Sequence, residues 1–555
     1  MFPGVEMKIE PRSNCGNKKD KRSLGLRLSD IMSGVESVHL AGPAAGTVEV
    51  RQVTSDSRLA CDGALFFAVP GTKHDGHDFA LAAARAGCTG IILERWVEGL
   101  EAFEHCAVLR VPRARAALAL CASNLHGRPG TRLPLVGVTG TNGKTTVSWL
   151  LAEIAEREGR SIGLFGTIGV RRAGALAEAT HTTPAPERLQ ELLAELLDGG
   201  GELAIMEVSS HALDQERVLG CRFVAAAFTG LSRDHLDYHP DLEHYFSSKT
   251  RLFTEHLEDG ANALVFIDEP YGQRLLDLLA TEGRVTPISV SILPARDGSP
   301  QPFPPSAVVA RDVKLSLSGV EAKIGLFDGT RCRVSSSLVG PHNLANIAVA
   351  AGLARALGFE PEAIGRCLSA CSGVPGRLER IPDSHENEED EGRHLFVDYA
   401  HTDDALRRMI GTLKGLAPAD KRVLVVAGCG GDRDRGKRPL MGKAASTADV
   451  AIITSDNPRH EDPEEIIREM LPGLAGSRYV VETDRKAAIE AAVAMARHGD
   501  VVLVAGKGHE VAQLVGSESR AFDDRAVSRE ALEHVAPGTR RIPSVVSDAG
   551  PSSFG

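Results

Sequence analysis

Leu135-Val136-Gly137-Val138-Thr139 runs straight into Gly140-Thr141-Asn142-Gly143-Lys144-Thr145-Thr146, and no other stretch limits the possible folds as tightly. An apolar run rich in β-branched residues breaks into a glycine turn and resumes as a helical pattern from Val147 to Ala155. Strand, glycine loop and helix in series make a phosphate cradle. Backbone N–H groups face anionic oxygens, the helix N-terminus favours negative charge, and the lysine reaches the terminal phosphates of a nucleotide. The expected ATP-binding residues here are Gly140, Thr141, Asn142, Gly143, Lys144, Thr145 and Thr146, with Thr145 placed to hold Mg2+ through its hydroxyl. Strict P-loop spacing puts a glycine at 138, where this chain has Val138, so the loop is a variant. The plain alternative, a glycine-rich turn between a strand and a helix, does not account for the Lys-Thr-Thr ending.

A chain of 555 residues has room for about three domains at ~150 residues each. Hydrophobic content of 43% and charged content of 25% fit an ordinary soluble α/β protein. Aromatic residues make up only 4%, too few for a base-stacking surface on single-stranded nucleic acid, and a net charge of −11 argues against a general polyanion binder. Anionic small ligands remain open, since local Lys and Arg read those. The 10 cysteines form no CxxC pair, so neither zinc nor a disulfide framework is suggested. They read as reduced thiols of a cytoplasmic protein. No apolar run reaches the ~18 residues of a membrane span.

The alternation of elements predicts an α/β chain of three domains. Residues 1–23 read as a disordered leader and 24–132 as a small α/β domain. Residues 133–377 read as a central P-loop domain on a mostly parallel sheet, 378–536 as a doubly wound Rossmann-like domain, and 537–555 as a disordered tail. In the central domain successive strands end in polar loops: Gly163-Leu-Phe-Gly-Thr-Ile leads to His181-Thr182-Thr183-Pro184, Leu203-Ala-Ile-Met-Glu207 to Val208-Ser209-Ser210-His211, and Ala225-Ala-Ala-Phe-Thr229 to Ser232-Arg233-Asp234-His235. A parallel sheet presents its ligands at such carboxyl ends. The stretch 293–306 is Pro-rich and reads as a surface insertion, and 383–393 as a solvated acidic loop.

Nine blocks in this order carry a resemblance to a known family: Gly140-Thr-Asn-Gly-Lys-Thr-Thr, Glu207-Val-Ser-Ser-His-Ala-Leu, Arg233-Asp-His-Leu-Asp-Tyr-His, Gly340-Pro-His-Asn-Leu-Ala-Asn, Gly376-Arg377-Leu-Glu, Asp398-Tyr-Ala-His, Gly430-Gly-Asp-Arg-Asp, Asp456-Asn-Pro-Arg459 and Gly506-Lys-Gly-His-Glu510. Each alone is weak; together the chain resembles the Mur ligases of peptidoglycan synthesis, and among them the MurE-type branch that adds the third residue of the stem peptide. The resemblance runs from Leu24 to about His534.

What the resemblance implies is an ATP-dependent ligase. The γ-phosphate passes to a substrate carboxylate, and an amine then attacks the acyl phosphate. Lys144 would hold the β- and γ-phosphates, and Thr145 and Glu207 a first Mg2+, with a bare strand-end acid as the plain reading of Glu207. His235 matches a position near a second metal, although Mg2+ prefers oxygen and a structural histidine stays open. Lys249 matches a lysine that is carbamoylated in many members; its residues alone make it a helix-surface lysine. Asn343, Arg377 and Asp398 match positions that hold adenine, phosphate and ribose. Ser57, Thr182, Thr183, Ser209 and Arg217 match contacts to UDP-N-acetylmuramoyl-L-alanyl-D-glutamate. Arg433, Asp456, Asn457, Pro458, Arg459, Gly506 and Glu510 match those that receive the amino acid, and arginine at 459 is typical of members using meso-diaminopimelate. The chain departs from the family at His181, where many members have Asn before Thr-Thr-Pro, and at Phe266-Ile267-Asp268. The alternatives are ligation of L-lysine, a folylpolyglutamate synthase-like ligase, and an inactive scaffold homologue. The resemblance further implies a monomer with no nucleic-acid partner.

Overall fold

The computed structural model describes residues 25–71, 74–172, 174–177, 181–293, 306–383, 392–536 and 539. The leader, the tail, most of the Pro-rich insertion and most of the acidic loop lie outside the described residues. The described chain forms two compact units. One holds the residues up to Leu135 with Thr183–Glu202 and His211–Arg222; the other holds Val136–Thr182, Leu203–Ser210 and the residues from Phe223 on. Two segments counted with the central domain on sequence order thus fold with the N-terminal part. The reason is local packing: the helix Pro186–Asp198 lays its Leu189, Leu192, Leu193 and Leu196 stripe into the core, alongside the helix Ala114–Leu125.

The first unit is built on a five-stranded sheet in the order Val38–Ala41, Ala107–Arg110, Gly90–Leu93, Ala64–Phe67, Gln52–Thr54. All neighbours run parallel except the first pair. Ala64–Phe67 and Gly90–Leu93 are buried throughout, as strands covered on both faces must be.

The second unit carries two large sheets and a short hairpin, Ala512–Val515 with Glu518–Ala521. In the larger, of eleven strands, the P-loop strand Leu135–Thr139 lies between Leu203–Glu207 and Phe223–Phe228. Both edges leave the parallel pattern. Val170–Arg172 and Ala175–Ala177 close one side as a hairpin. On the other, Ala307–Ser316, Gly319–Gly325 and Arg331–Ser336 pair antiparallel. Arg331–Ser336 alternates exposed and buried residues throughout, and Gly319–Gly325 does so between Val320 and Ile324, a period of two that the sequence carries openly. The smaller sheet has six strands in the order Glu379–Ile381, His394–Asp398, Val501–Ala505, Val423–Ala427, Val450–Ile453, Tyr479–Val481, parallel but for the first pair. Separate apolar cores cover its two faces. The fold is the three-domain α/β architecture expected, with the strand ends carrying Thr139, Glu207, Asp398 and Ala505 opening into polar loops.

Candidate active site

The P-loop helix begins at Lys144 itself and runs to Arg157, with Gly143 as its N-cap. Gly140 holds φ +146°, and a Cβ there would stand 2.1 Å from Thr229 Oγ1, so only glycine closes this turn. Lys144 Nζ donates to the Gly140 and Thr141 carbonyls, both at 2.9 Å. Its ammonium is folded over its own loop, on acceptors that phosphate oxygens can replace. Burial lowers the Lys144 pKa, with the Glu207 and Asp234 charges opposing.

Glu207 ends the neighbouring strand, 1% exposed. Its Oε2 accepts from Thr145 Oγ1 at 2.9 Å and Thr167 Oγ1 at 3.0 Å, and its Oε1 from Thr167 N at 2.8 Å. Arg377 Nη2 donates to Thr145 Oγ1 at 3.3 Å, and its guanidinium lies over the Tyr399 ring at 4.7 Å. Thr145, Glu207 and Thr167 offer only oxygen, which suits Mg2+, an ion that keeps several waters and completes its shell with substrate phosphates. Among the described residues no group of three His, Cys, Asp or Glu side chains is placed to hold a metal, so a cation here would rest on these oxygens.

Lys249 departs from the surface position its residues suggest. It is 1% exposed, on the helix Leu242–Arg251, which turns Tyr245, Phe246 and Lys249 inward. Its Nζ donates to the Gly140 carbonyl at 2.8 Å and lies 4.5 Å from the Tyr245 ring centre, whose hydroxyl is 3.1 Å from Thr141 Oγ1. Lys144 and Lys249 therefore share one acceptor, and two ammonium groups there would repel. Burial, then Lys144, drives the Lys249 pKa well below the usual value, so of the two Lys249 loses its proton the more readily. His235 faces Tyr245 edge-on at 6.0 Å and has left-handed backbone, φ +53°. Desolvation lowers its pKa against the nearby Asp234 carboxylate, 3.6 Å away.

Asn343 and Asp398 spend their side chains on the protein. Asn343 Nδ2 donates to Val339 O at 2.9 Å and its Oδ1 accepts from Asn346 at 3.2 Å. Asp398 accepts from the Leu378 and Ala400 N–H groups at 2.7 and 2.8 Å, pinning the chain beside Arg377. Asp268, at the second departure from the family pattern, likewise spends both oxygens on Ser291 and Ile292 at the end of the adjoining strand. Of the sugar-peptide set, Ser57, Thr183 and Arg217 belong to the first unit and Thr182 and Ser209 to the second. Ser57 opens a 3-10 turn capped by Asp56. Arg217 Nη1 donates to the Thr183 carbonyl at 3.0 Å, and the Thr182 hydroxyl lies 3.1 Å from that of Thr167.

A second cluster gathers at the carboxyl ends of the six-stranded sheet. Asn457 Nδ2 donates to Glu510 Oε2 at 2.9 Å, and Arg459 Nη1 to the Gly431 carbonyl at 2.7 Å, in the loop that leads to Arg433. Arg459 has φ +51° after Pro458, and its N–H and C=O pair with Leu514 and Gly516. A Cβ on Gly506 would stand 2.5 Å from Asp456 Oδ2. Arg485, fully buried, grips Asp524 through Nε at 2.8 Å and Nη2 at 2.7 Å and donates to the Ser455 and Ala505 carbonyls, just before Asp456 and Gly506. Removing one partner of such a pair strands the other charge, so Arg485→Met is expected to cost about 3–5 kcal/mol. Urea unfolding measures this; a loss under ~0.5 kcal/mol would contradict it.

The structure thus brings Lys144, Thr145, Glu207, Lys249, His235 and Arg377 round one loop. Asp456, Asn457, Arg459, Gly506 and Glu510 gather round another. Thr167, Tyr245, Lys507 and Arg485 were missed on sequence. Thr167 had a signal, a hydroxyl just past the strand Ile162–Phe165 as Glu207 ends its own; Tyr245 and Arg485 had none beyond residue type.

Fold and site define a P-loop α/β protein whose cradle and polar strand-end loops serve a phosphate-bearing ligand. Three family descriptions match in order: Mur ligase family, catalytic domain at residues 49–124; Mur ligase middle domain at 138–354; and Mur ligase, glutamate ligase domain at 376–508. The chain is 40% identical to a UDP-N-acetylmuramoyl-L-alanyl-D-glutamate--2,6-diaminopimelate ligase of Solibacter usitatus, over 92% of this chain and 98% of that one. To the ligase of the same description from Gloeobacter violaceus it is 41% identical, over 87% and 94%. A solved structure of a ligase with that description superposes with a TM-score of 0.65 at 31% identity, over 92% of this chain and 99% of that one. The chain belongs to the Mur ligase family.

Proposed function

We propose that this chain is an ATP-dependent ligase that joins meso-diaminopimelate to UDP-N-acetylmuramoyl-L-alanyl-D-glutamate, in the cytoplasm and as a monomer. The observation that carries the reading is the convergence of Lys144, Lys249, Thr145 and Arg377 on the loop beginning at Gly140, in a chain 40% identical to a ligase of that description over most of its length. No helix among the described residues is long and apolar enough to cross a membrane, which accords with this reading.

The γ-phosphoryl group of ATP moves to the terminal D-glutamate carboxylate, giving an acyl phosphate and ADP. The amine of diaminopimelate attacks the acyl carbon, the C–O bond to phosphate breaks, and the amine's proton leaves as the amide forms. Every oxygen in this sequence carries charge, so preorganised cations lower the barrier. Lys144 moves from its loop carbonyls onto the β- and γ-phosphates, and Arg377 stands beside Thr145 to meet the same charge. Mg2+ held by Thr145 and Glu207, with His235 near a second ion, would neutralise phosphate oxygens when bound. Asn343 and Asp398 shape the nucleotide pocket through the backbone they hold. Ser57, Thr182, Thr183, Ser209 and Arg217 take the sugar nucleotide and its peptide. The neutral Lys249 amine is the form that adds CO2 to become a carbamate, an anion suited to approach Mg2+.

For the amino acid, Arg459 offers a fork to the distal carboxylate of diaminopimelate, which L-lysine lacks. Asp456 and Glu510 take the distal ammonium, and Arg433 the carboxylate at the reacting end. Lysine would place a bare ammonium before Arg459, so the arginine excludes it as well as failing to bind it. Arg459→Ala is expected to raise the KM for meso-diaminopimelate by about 10²-fold, the loss of a charged hydrogen-bonded pair, with the KM for ATP within about threefold. Steady-state kinetics on purified protein decide; a parallel rise in both constants would contradict the assignment.

A further inference from the structure

Lys507 has no part in the reaction just described, yet like Arg485 it is a fully enclosed cation of the second cluster, with a side chain 0% exposed. Its ammonium has three protons and three acceptors: Asn457 Oδ1 at 3.1 Å, Glu510 Oε2 at 3.2 Å and the Ala512 carbonyl at 2.5 Å. A saturated donor set leaves nothing for a ligand. What Lys507 does, it does through those three groups.

Two of them belong to the amino-acid pocket. Asn457 Oδ1 also accepts from the Leu514 N–H at 3.0 Å, so with Lys507 it faces two donors and the amide can sit only one way round. Its Nδ2 must then point at Glu510 Oε2, and it does, at 2.9 Å. That one oxygen of Glu510 thus takes both the amide and the ammonium. The other oxygen has no such partner among these contacts, and the side chain is 35% exposed, so Oε1 is the one offered outward. We infer that Lys507 is a positioning residue for the amino-acid substrate: it fixes the Asn457 amide and aims Glu510 Oε1 at the distal ammonium of the bound amino acid. The inference rests on the assignment of Asn457 and Glu510 to that pocket.

The test is steady-state kinetics of Lys507→Met, Glu510→Gln and the double variant, each checked for fold by near-UV circular dichroism. Methionine keeps the length of the buried side chain without its charge. Lys507→Met is expected to raise the KM for meso-diaminopimelate about tenfold, the scale of one charge-assisted hydrogen-bond network, with the KM values for ATP and for the UDP-linked dipeptide within about twofold. Equal rises in all three constants would mean a general structural role and overturn the inference. If the single variant does not fold, the double variant decides, since it leaves no unpaired buried charge. Because Lys507 acts through Glu510, the double variant should match Glu510→Gln in the KM for meso-diaminopimelate within about threefold. A further tenfold loss on adding Lys507→Met would overturn the inference. Glu510→Gln separates this from the pocket assignment: were its KM for meso-diaminopimelate that of the parent, the pocket itself would be misassigned.

Discussion

Lys144→Ala is expected to lose about 10²–10³-fold in the rate of ATP-dependent ligation, equivalent to ~3–4 kcal/mol of transition-state stabilisation, while its unfolding midpoint barely moves. The two parts of that expectation have one cause. In the structure Lys144 rests on two carbonyls of its own loop, at 2.9 Å each, and burial lowers its pKa. The folded state therefore bears a cost for this ammonium, which the γ-phosphate relieves. Alanine removes that cost together with the two carbonyl hydrogen bonds that offset it, so stability barely changes while the charge is lost. The depressed pKa also sets a pH dependence: in the empty enzyme Lys144 sheds its proton earlier on the alkaline side than an exposed lysine does. ATP affinity should fall as pH rises through that lowered pKa, and in Lys144→Ala this fall should be absent. Near-normal turnover in Lys144→Ala would mean that the cradle does not handle the reacting phosphate.

The second large effect belongs to Lys249. Lys249→Ala is expected to lose about 10²-fold or more of activity, with partial recovery on adding formate or acetate, whose carboxylate can stand where the carbamate would. The stability consequence runs the other way. Unmodified Lys249 has a folded-state pKa well below its unfolded value. Between those two values the unfolded chain binds the extra proton, so stability rises with pH across that window and is complete only above the ordinary lysine pKa. In CO2-free buffer Lys249→Met should flatten that rise and melt higher than the parent near neutral pH. Full activity in Lys249→Ala, or a parent protein whose intact mass carries no carbamate in bicarbonate, would remove the carbamate from the account.

Much of this was legible in the chain because strand ends announce themselves. Thr139, Glu207, Asp398 and Ala505 each close a buried five-residue strand, and each parallel sheet puts such ends on one side, so the loops that follow strands of one sheet lie together. Burial of charge was not legible. Lys249 lies in a polar stretch, and only the packing of Tyr245 and Phe246 beside it turns that helix face inward. Lys507 sits between two glycines, and its three acceptors come from residues up to fifty positions away. The grouping of Pro186–Asp198 with the N-terminal unit escaped for a related reason: sequence order places it after the P-loop, while its leucine stripe packs elsewhere. Asn343 and Asp398 show the converse, motif positions whose side chains hold backbone in place.

The measurement that bears most directly on the central claim is a ligation assay with purified protein, ATP, Mg2+ and UDP-N-acetylmuramoyl-L-alanyl-D-glutamate, run in parallel with meso-diaminopimelate and with L-lysine. Arg459, with Nη1 on the Gly431 carbonyl, predicts a UDP-linked tripeptide with meso-diaminopimelate, one ADP and one phosphate per amide bond, and at most a trace with L-lysine. Equal use of the two amino acids would contradict the role given to Arg459; no ATP-dependent amide with either would contradict the ligase itself.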